Sequence, residues 1–307
     1  MQTASADILT IGGREVRLTR PDKVLFPEDG ITKAGLIQYY EQVGPRIIPY
    51  LTGRPLTLHR FPDGIDQPGF IQNAADLYYP HWISRITVKK EAGAVTHVLC
   101  NDLATLVYLV NQACITFHVW LSRATSPTFP DQMVFDFDPA TDDLNPVAEG
   151  ATLFKSILDE LDAPAFVKST GSRGLQVVVP LGSKDDSDSV RDVARKLANL
   201  VIARSPDRFT LEQRKRYRQD RVLIDINRNG YAQTVVANYA VCARRGAPVA
   251  VPLDWGELRE KGFRPDGVTT KTIHERLETA GDPWANFTLK AASLAGIRRN
   301  LEMLRVA

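Results

Sequence analysis

The sequence predicts an α+β fold with largely antiparallel or mixed sheets. Segments whose apolar residues recur at helical spacing are interspersed with short β-branched and aromatic runs. Several of those runs come as strand–turn–strand pairs, rather than in strict strand–helix–strand alternation. Composition is ordinary for a folded chain: of 307 residues, 44% are hydrophobic and 24% charged, which excludes wholesale disorder. No linker-like stretch divides the chain, so residues 1–307 are expected to form one compact unit with a split sheet.

Each element has a local cause. Residues 7–19 alternate around Gly12-Gly13, which predicts a hairpin. Pro21, Pro27 and Gly30 punctuate a loop, and Thr32 stands as an N-cap before a helix over 33–51. A strand at 55–61 leads into a loop over 62–80, rich in Pro, Gly and Asp. Strands near 86–90 and at 95–100 flank a turn at Ala92-Gly93, and an apolar helix runs from Leu103 to Ala113. Strands are expected at 115–122 and 132–139, a helix at 146–161, and strands at 165–170 and 174–181 on either side of Gly171. A helix at 187–204, a very basic segment at 212–220, a strand at 221–227 and a polar helical tail from 270 complete the chain.

Lys plus Arg minus Asp plus Glu is 38 − 36 = +2, so net charge alone names no partner. Cys100, Cys114 and Cys242 fit neither a disulfide framework nor a zinc spacing, and read as small buried thiols. The first residues show no basic segment followed by an apolar one, and no apolar run is long enough to span a bilayer. The expected location is cytoplasmic, with no membrane partner.

Asp136 and Asp138, in VFDFDP, are the strongest chemical signal. Residues i and i+2 of a strand share a face about 6.6 Å apart. Val134, Phe135 and Phe137 make the strand apolar, so two carboxylates on one face need a compensating cation, and hard divalent ions suit oxygen donors. The alternative is a pair of exposed acids capping a strand end. RVLIDIN places a third acid, Asp225, at the end of another apolar run. Three carboxylates from two strands suit phosphoryl transfer with two metals. In KSTGSRGLQVVVP, Gly171 and Gly174 allow close backbone approach, while Ser169, Thr170, Ser172 and Arg173 add donors. The segment is either a phosphate cradle or an ordinary hairpin turn.

With these motifs in order, the chain resembles the primase–polymerase domain of bacterial end-joining ligase D, a branch of the archaeo-eukaryotic primase superfamily. It looks closest to the stand-alone bacterial primase–polymerases. The resemblance runs from LTRPDKVLFPEDGITKAGLIQYY through GRPLTLHRFPDG, VFDFDP, STGSRGLQVVVPL and LIDINRN to VAVPLDWGEL. It implies a primase-type core with an RRM-like half. It also implies DNA-directed addition of nucleotides, ribonucleotides favoured, to fill short gaps or extend ends in DNA repair and end joining. Asp136, Asp138 and Asp225 would be the catalytic acids, holding two Mn²⁺ or Mg²⁺ ions. Arg60, His118, Thr170, Ser172, Arg173, Gly174, Gln176, Gln233 and Arg244 would contact the incoming NTP or dNTP. Arg20, Lys23 and Lys33 would grip the 5′-phosphate of a downstream strand, and Phe70 would stack on a template base. Implied partners are gapped or recessed DNA, a separate ATP-dependent DNA ligase and an end-binding protein such as Ku, which places the protein with the nucleoid.

The sequence departs from the pattern at several positions. Gln176 stands where the family usually has His, Arg173 where ligase-linked relatives have Lys, and Ile71 where a second aromatic is common. Asn73, Gln233 and His59 replace basic residues. The swaps at Gln176, Asn73, Gln233 and His59 remove charge, and Ile71 removes stacking, which allows weaker or differently specific synthesis while the acid triad is intact. Two other classes remain open at this level. A non-catalytic DNA-end-binding module serving a ligase would fail to extend a primer, and a metal-dependent nuclease or phosphatase would shorten DNA without NTP.

Overall fold

The structure is a computed structural model describing residues 8–90, 93–279 and 281–306. The expected turn at Ala92-Gly93 therefore lies partly outside the described residues, as does the start of the chain. The α+β expectation holds: helices stand among mainly antiparallel sheets. The chain packs as two compact units, one made of the chain up to Val119 with Val236–Pro248, the other of Trp120–Val235 with everything from Val249 onward. No helix among the described residues is long and apolar enough to cross a membrane.

The first unit opens with the predicted hairpin, β1 (Ile8–Ile11) against β2 (Arg14–Arg17). Two short strands that sequence periodicity cannot show follow, β3 (Val24–Phe26) and β4 (Ile31–Thr32). Helix α1 (Lys33–Leu51) begins where Thr32 predicts, the Thr32 hydroxyl accepting from the Gly35 amide at 3.1 Å. Strand β5 (Leu56–Arg60) lies between β6 (Phe70–Gln72) and β9 (Cys114–Trp120). Strand β6 sits inside the segment expected to be all loop. A second hairpin joins β7 (Arg85–Lys90) to β8 (Gly93–Val98), and α2 (Leu103–Asn111) is capped by Asp102. The buried Tyr40 hydroxyl ties three segments together, donating to the Ile115 carbonyl at 2.7 Å and accepting from the Val241 amide at 2.9 Å.

In the second unit the order of elements is β10 (Gln132–Asp138), α3 (Asn145–Glu160), β11 (Phe166–Ser169), β12 (Leu175–Pro180) and α4 (Ser187–Arg204). There follow β13 (Phe209–Thr210), β14 (Val222–Asp225), β15 (Thr234–Val236), where the chain returns to the first unit, and then β16 (Pro252–Leu253), α5 (Ile273–Thr279) and α6 (Leu294–Val306). Its six-stranded sheet runs β13-β14-β10-β12-β11-β16, and only the β13–β14 pair is parallel. The tail is helical only in part, with a 3-10 turn at Thr288–Lys290 between its helices. The basic segment carries a single 3-10 turn, Lys215–Tyr217.

Strand β10 is the axis of this unit. Phe135 and Phe137 point to one face and meet Phe154 of α3 at ring-centroid distances of 4.3 and 5.9 Å. All three rings are fully buried, each contributing about 2–3 kcal/mol by removal from water. Period-2 alternation then sends Asp136 and Asp138 to the opposite face. Strand β14 ends at Asp225, two residues short of the sequence expectation, because the chain turns into a 3-10 turn at Asn227–Asn229. Asn229 makes that stop possible. Its side-chain amide imitates a strand neighbour, accepting from the Val134 amide at 2.8 Å and donating to the Val134 carbonyl at 2.7 Å and the Ile226 carbonyl at 2.9 Å.

Asn229→Ala leaves the Val134 amide and carbonyl unpaired in the interior. It is expected to cost about 3 kcal/mol in urea unfolding. A loss under about 1 kcal/mol would show that this amide is not what closes the sheet at that point.

Candidate active site on the acidic face of the second unit

Strand register assembles the site. Asp136 of β10 lies opposite Asp225 of β14 on one side and Gln176 of β12 on the other, and Gln176 lies opposite Lys168 of β11. Directly opposed residues share a face, so Asp225, Asp136, Gln176 and Lys168 form one row across four strands, with Asp138 two residues along β10. Gln176 Nε2 donates to Asp136 Oδ2 at 3.1 Å. Asp225 is 6% exposed and already engaged: its Oδ1 accepts from the Asn227 amide at 2.9 Å and Gln213 Nε2 at 3.3 Å, and Arg228 Nε lies 3.6 Å from its Oδ2.

The carboxylates repel. Asp136 is pushed well above the usual carboxylate range, first by burial and then by Asp138 and Asp225; Gln176 and Arg228 oppose the rise. Asp138 is raised by burial and by Asp225, against Arg218 and Arg228. Lys168 is 3% exposed, and burial lowers its pKa to about 7 against the attraction of Asp136. Lys168 was not singled out in the sequence; only the register that sets it opposite Gln176 reveals its place.

The turn after β11 lies against the acids. Thr170 Oγ1 donates to the Gly174 carbonyl at 3.0 Å, closing the turn. A Cβ at Gly174 would stand 2.8 Å from the Phe137 carbonyl oxygen, 3.2 Å from Asp138 Oδ1 and 3.6 Å from Asp136 Oδ1, so only glycine fits there. Arg173 donates to the Thr141 carbonyl and pairs with Asp142 at 3.0 Å. Ser169 does not face outward as a donor; its buried hydroxyl accepts from the Val251 amide at 3.0 Å and joins β11 to the next segment. Ser172 is half-buried, and Gln233 is exposed beyond the 3-10 turn.

Among the described residues no group of three or more His, Cys, Asp or Glu side chains is already gathered as a metal cage. The two β10 acids nevertheless fit a hard cation: both are oxygen donors on one face, and Asp136 Oδ1 is out of reach of solvent with no hydrogen-bond partner. Asp225 would join by exchanging Gln213 or Arg228 for the ion.

The remaining expected residues lie on the first unit. Arg60 donates from Nε to the Gln112 carbonyl at 2.8 Å and from Nη1 to Gln72 Oε1 at 2.8 Å, with its guanidinium 5.3 Å from the Phe70 ring centroid. Phe70 is 46% exposed and Ile71 54%. Asn73 accepts from the Thr57 hydroxyl at 2.6 Å. His118, on β9, is half-buried opposite Thr57, and Arg244 is exposed. Arg20, Lys23 and Lys33 do come together: burial first, then Arg20 and Lys23, lower Lys33 to about 8. Lys33 is only 4% exposed and donates to the Thr19 carbonyl, so Arg20 and Lys23 are the accessible members.

Residues 32–284 match the model of the LigD primase-polymerase domain family. The chain is similar to the multifunctional non-homologous end joining protein LigD of Mycolicibacterium smegmatis, with 29% identity over 270 residues, which is 87% of this chain and 35% of that protein. LigD of Pseudomonas aeruginosa is 30% identical over 308 residues, covering 97% of this chain and 36% of that protein. The chain thus spans about a third of the length of these relatives. The structure superposes on the polymerase domain of Mycobacterium tuberculosis ligase D, solved in complex with DNA, with a TM-score of 0.84 and 28% identity, over 90% of this chain and 99% of that one. Family match and fold together define a nucleotidyltransferase of primase–polymerase type, on an archaeo-eukaryotic primase-type core. The chain belongs to the LigD primase-polymerase domain family.

The acid pair should burden the metal-free fold. Acids whose folded pKa is raised lower stability as pH rises through the interval from the unfolded to the folded value. Asp136→Asn with Asp138→Asn is therefore expected to raise Tm by about 2–4 °C at pH 8 in EDTA. A lower Tm in scanning calorimetry would contradict the repulsion.

Proposed function

We propose that this chain extends a primer 3′-hydroxyl by DNA-directed nucleotide addition, with ribonucleotides favoured, at short gaps whose downstream strand carries a 5′-phosphate. The observation that carries the chemistry is the row of Asp225 and Asp136 with Asp138 beside it, its Asp136 Oδ1 unpartnered, under the Gly174 turn. Asp136, Asp138 and Asp225 would hold two Mn²⁺ or Mg²⁺ ions. Bound there, such ions supply Lewis-acid stabilisation of the phosphoryl oxygens and ease ionisation of the attacking hydroxyl.

The protein's own residues do the positioning. Gln176 holds one oxygen of Asp136 and so fixes the rotamer of that carboxylate. The backbone of the turn around Gly174 receives the triphosphate, with Thr170, Ser172 and Arg173. The primer hydroxyl attacks the α-phosphate in line, and pyrophosphate leaves. Arg60, His118, Gln233 and Arg244 complete the nucleotide contacts, and Phe70 stacks on the template. Under this reading residues 1–307 act as one catalytic unit, although they pack as two bodies. The names of the relatives support a place in non-homologous end joining. A separate ATP-dependent ligase, an end-binding protein such as Ku and a location in the cytoplasm at the nucleoid complete the proposal.

Extension of a primed gap decides the chemistry. Asp136→Ala with Asp138→Ala is expected to reduce extension at least about a thousandfold while leaving DNA binding in place. Undiminished extension by that variant would sink the mechanism, and shortening of labelled DNA in Mn²⁺ without NTP would favour a nuclease.

Recognition of the 5′-phosphate has its own signature. Lys33 loses its proton as pH rises past about 8, so the pocket then drops from three positive charges to two. Preference for 5′-phosphorylated over 5′-hydroxyl gaps is expected to be stronger at pH 7 than at pH 9.5, a gel-shift comparison that a flat profile would refute.

A further inference from the structure

Beyond Phe70, the first unit displays a second large aromatic side chain. Tyr78 is 62% exposed and its neighbour Leu77 is fully exposed. Both sit at the tip of a turn that the Tyr79 amide closes on the Asp76 carbonyl at 3.2 Å. Two adjacent large apolar side chains held in water gain burial only from something that covers them.

The Tyr78 ring is braced from behind. It meets the buried Tyr79 edge-on at a ring-centroid distance of 5.2 Å, Tyr79 meets Tyr108 at 5.3 Å, and Tyr108 meets Trp82 at 5.9 Å. The Arg14 guanidinium closes that row, 5.0 Å from the Trp82 ring. The Tyr78 hydroxyl lies 3.5 Å from Gln112 Oε1, and the Gln112 carbonyl accepts from Arg60 Nε. Asp76, two residues before Tyr78, pairs with Arg60 Nη1 at 3.4 Å and accepts from Gln72 Nε2 at 3.0 Å. The same guanidinium lies over the Phe70 ring, so one largely buried arginine links both exposed aromatic residues and neutralises the carboxylate beside them.

We propose that Tyr78, with Leu77 beside it, is a second stacking platform for the single-stranded template, taking a further unpaired base beyond the one on Phe70. The proposal rests on the reading of Phe70 as a template contact. Every nucleobase offers a π-face, so a braced, exposed ring holds single strands without regard to sequence. The occupant is a base rather than a phosphate, because the surface offered is ring and methyl groups and the guanidinium behind it is already paired. Continuity with Phe70 through Arg60 favours the template over a protein or a second copy of this chain.

The test measures dissociation constants by fluorescence anisotropy in EDTA without nucleotide. The probes are duplexes with a four-nucleotide gap whose template is either intact or abasic across the gap. Tyr78→Ala truncates an exposed side chain. It is expected to weaken binding of the intact gap at least about fivefold, the loss of one base–ring stack, and to change binding of the abasic gap less than about twofold. Tyr78→Phe keeps the ring and is expected to bind both as the wild type does. Equal binding of the intact gap by Tyr78→Ala and wild type overturns the proposal, as does an equal loss on both gaps. Self-association of the chain in sedimentation velocity that Tyr78→Ala abolishes would give the patch to a second copy and overturn it too. Phe70→Ala, measured alongside, separates the two claims. Wild-type binding by that variant removes the Phe70 assignment, while the intact-against-abasic difference at Tyr78 stands by itself.

Discussion

The constraint on which the second unit depends is that β10 must be apolar on one face and carry two carboxylates on the other. Phe135 and Phe137 anchor the strand against Phe154, and that anchoring is what makes the acids costly. Because β10 pairs with β14 on one edge and β12 on the other, a single register decides what flanks Asp136. One flank gives Asp225, which adds charge, and the other gives Gln176, which donates a hydrogen bond. A one-residue slip of either neighbour would send its whole side-chain set to the other face and dissolve the row. Asn229 holds β10 to the end of β14 and guards against such a slip.

Much of this was legible in the sequence, for physical reasons that can be named. Asp-Phe-Asp ahead of Pro139 reads as a strand with two acids on one face because side-chain direction along a strand has period 2. Thr32 announced its helix because a hydroxyl before an amphipathic run satisfies an otherwise open amide. Gly174 suggested close backbone approach, and the Phe137 carbonyl is what approaches. The short strands β3, β4, β13 and β16 were not legible, since two or three residues hold no period. Lys168 and Asn229 were hidden for another reason: each acts across strand pairings set by distant segments, and nothing in their local sequence marks them. Ser169 shows the converse, a hydroxyl in a suggestive motif that tertiary contacts assign to structure.

The near-neutral charge acquires meaning from this arrangement. Positive side chains gather at Arg20, Lys23 and Lys33 on the first unit, while negative ones concentrate on the acidic face of the second. Each cluster holds internal counter-charges: Asp63 against Lys23, and Arg228 against Asp225. Both clusters thus carry groups that bound anions or cations would displace. Like charges gathered and buried in this way lower the stability of the empty fold.

The proposed chemistry needs Asp136 and Asp138 to act as a cation site on an otherwise apolar strand. Anomalous scattering from crystals grown with Mn²⁺ decides this. A peak is expected within about 2.3 Å of oxygens from both Asp136 and Asp138. A map in which Mn²⁺ binds elsewhere, with both carboxylates free of any ion, would refute the cation site.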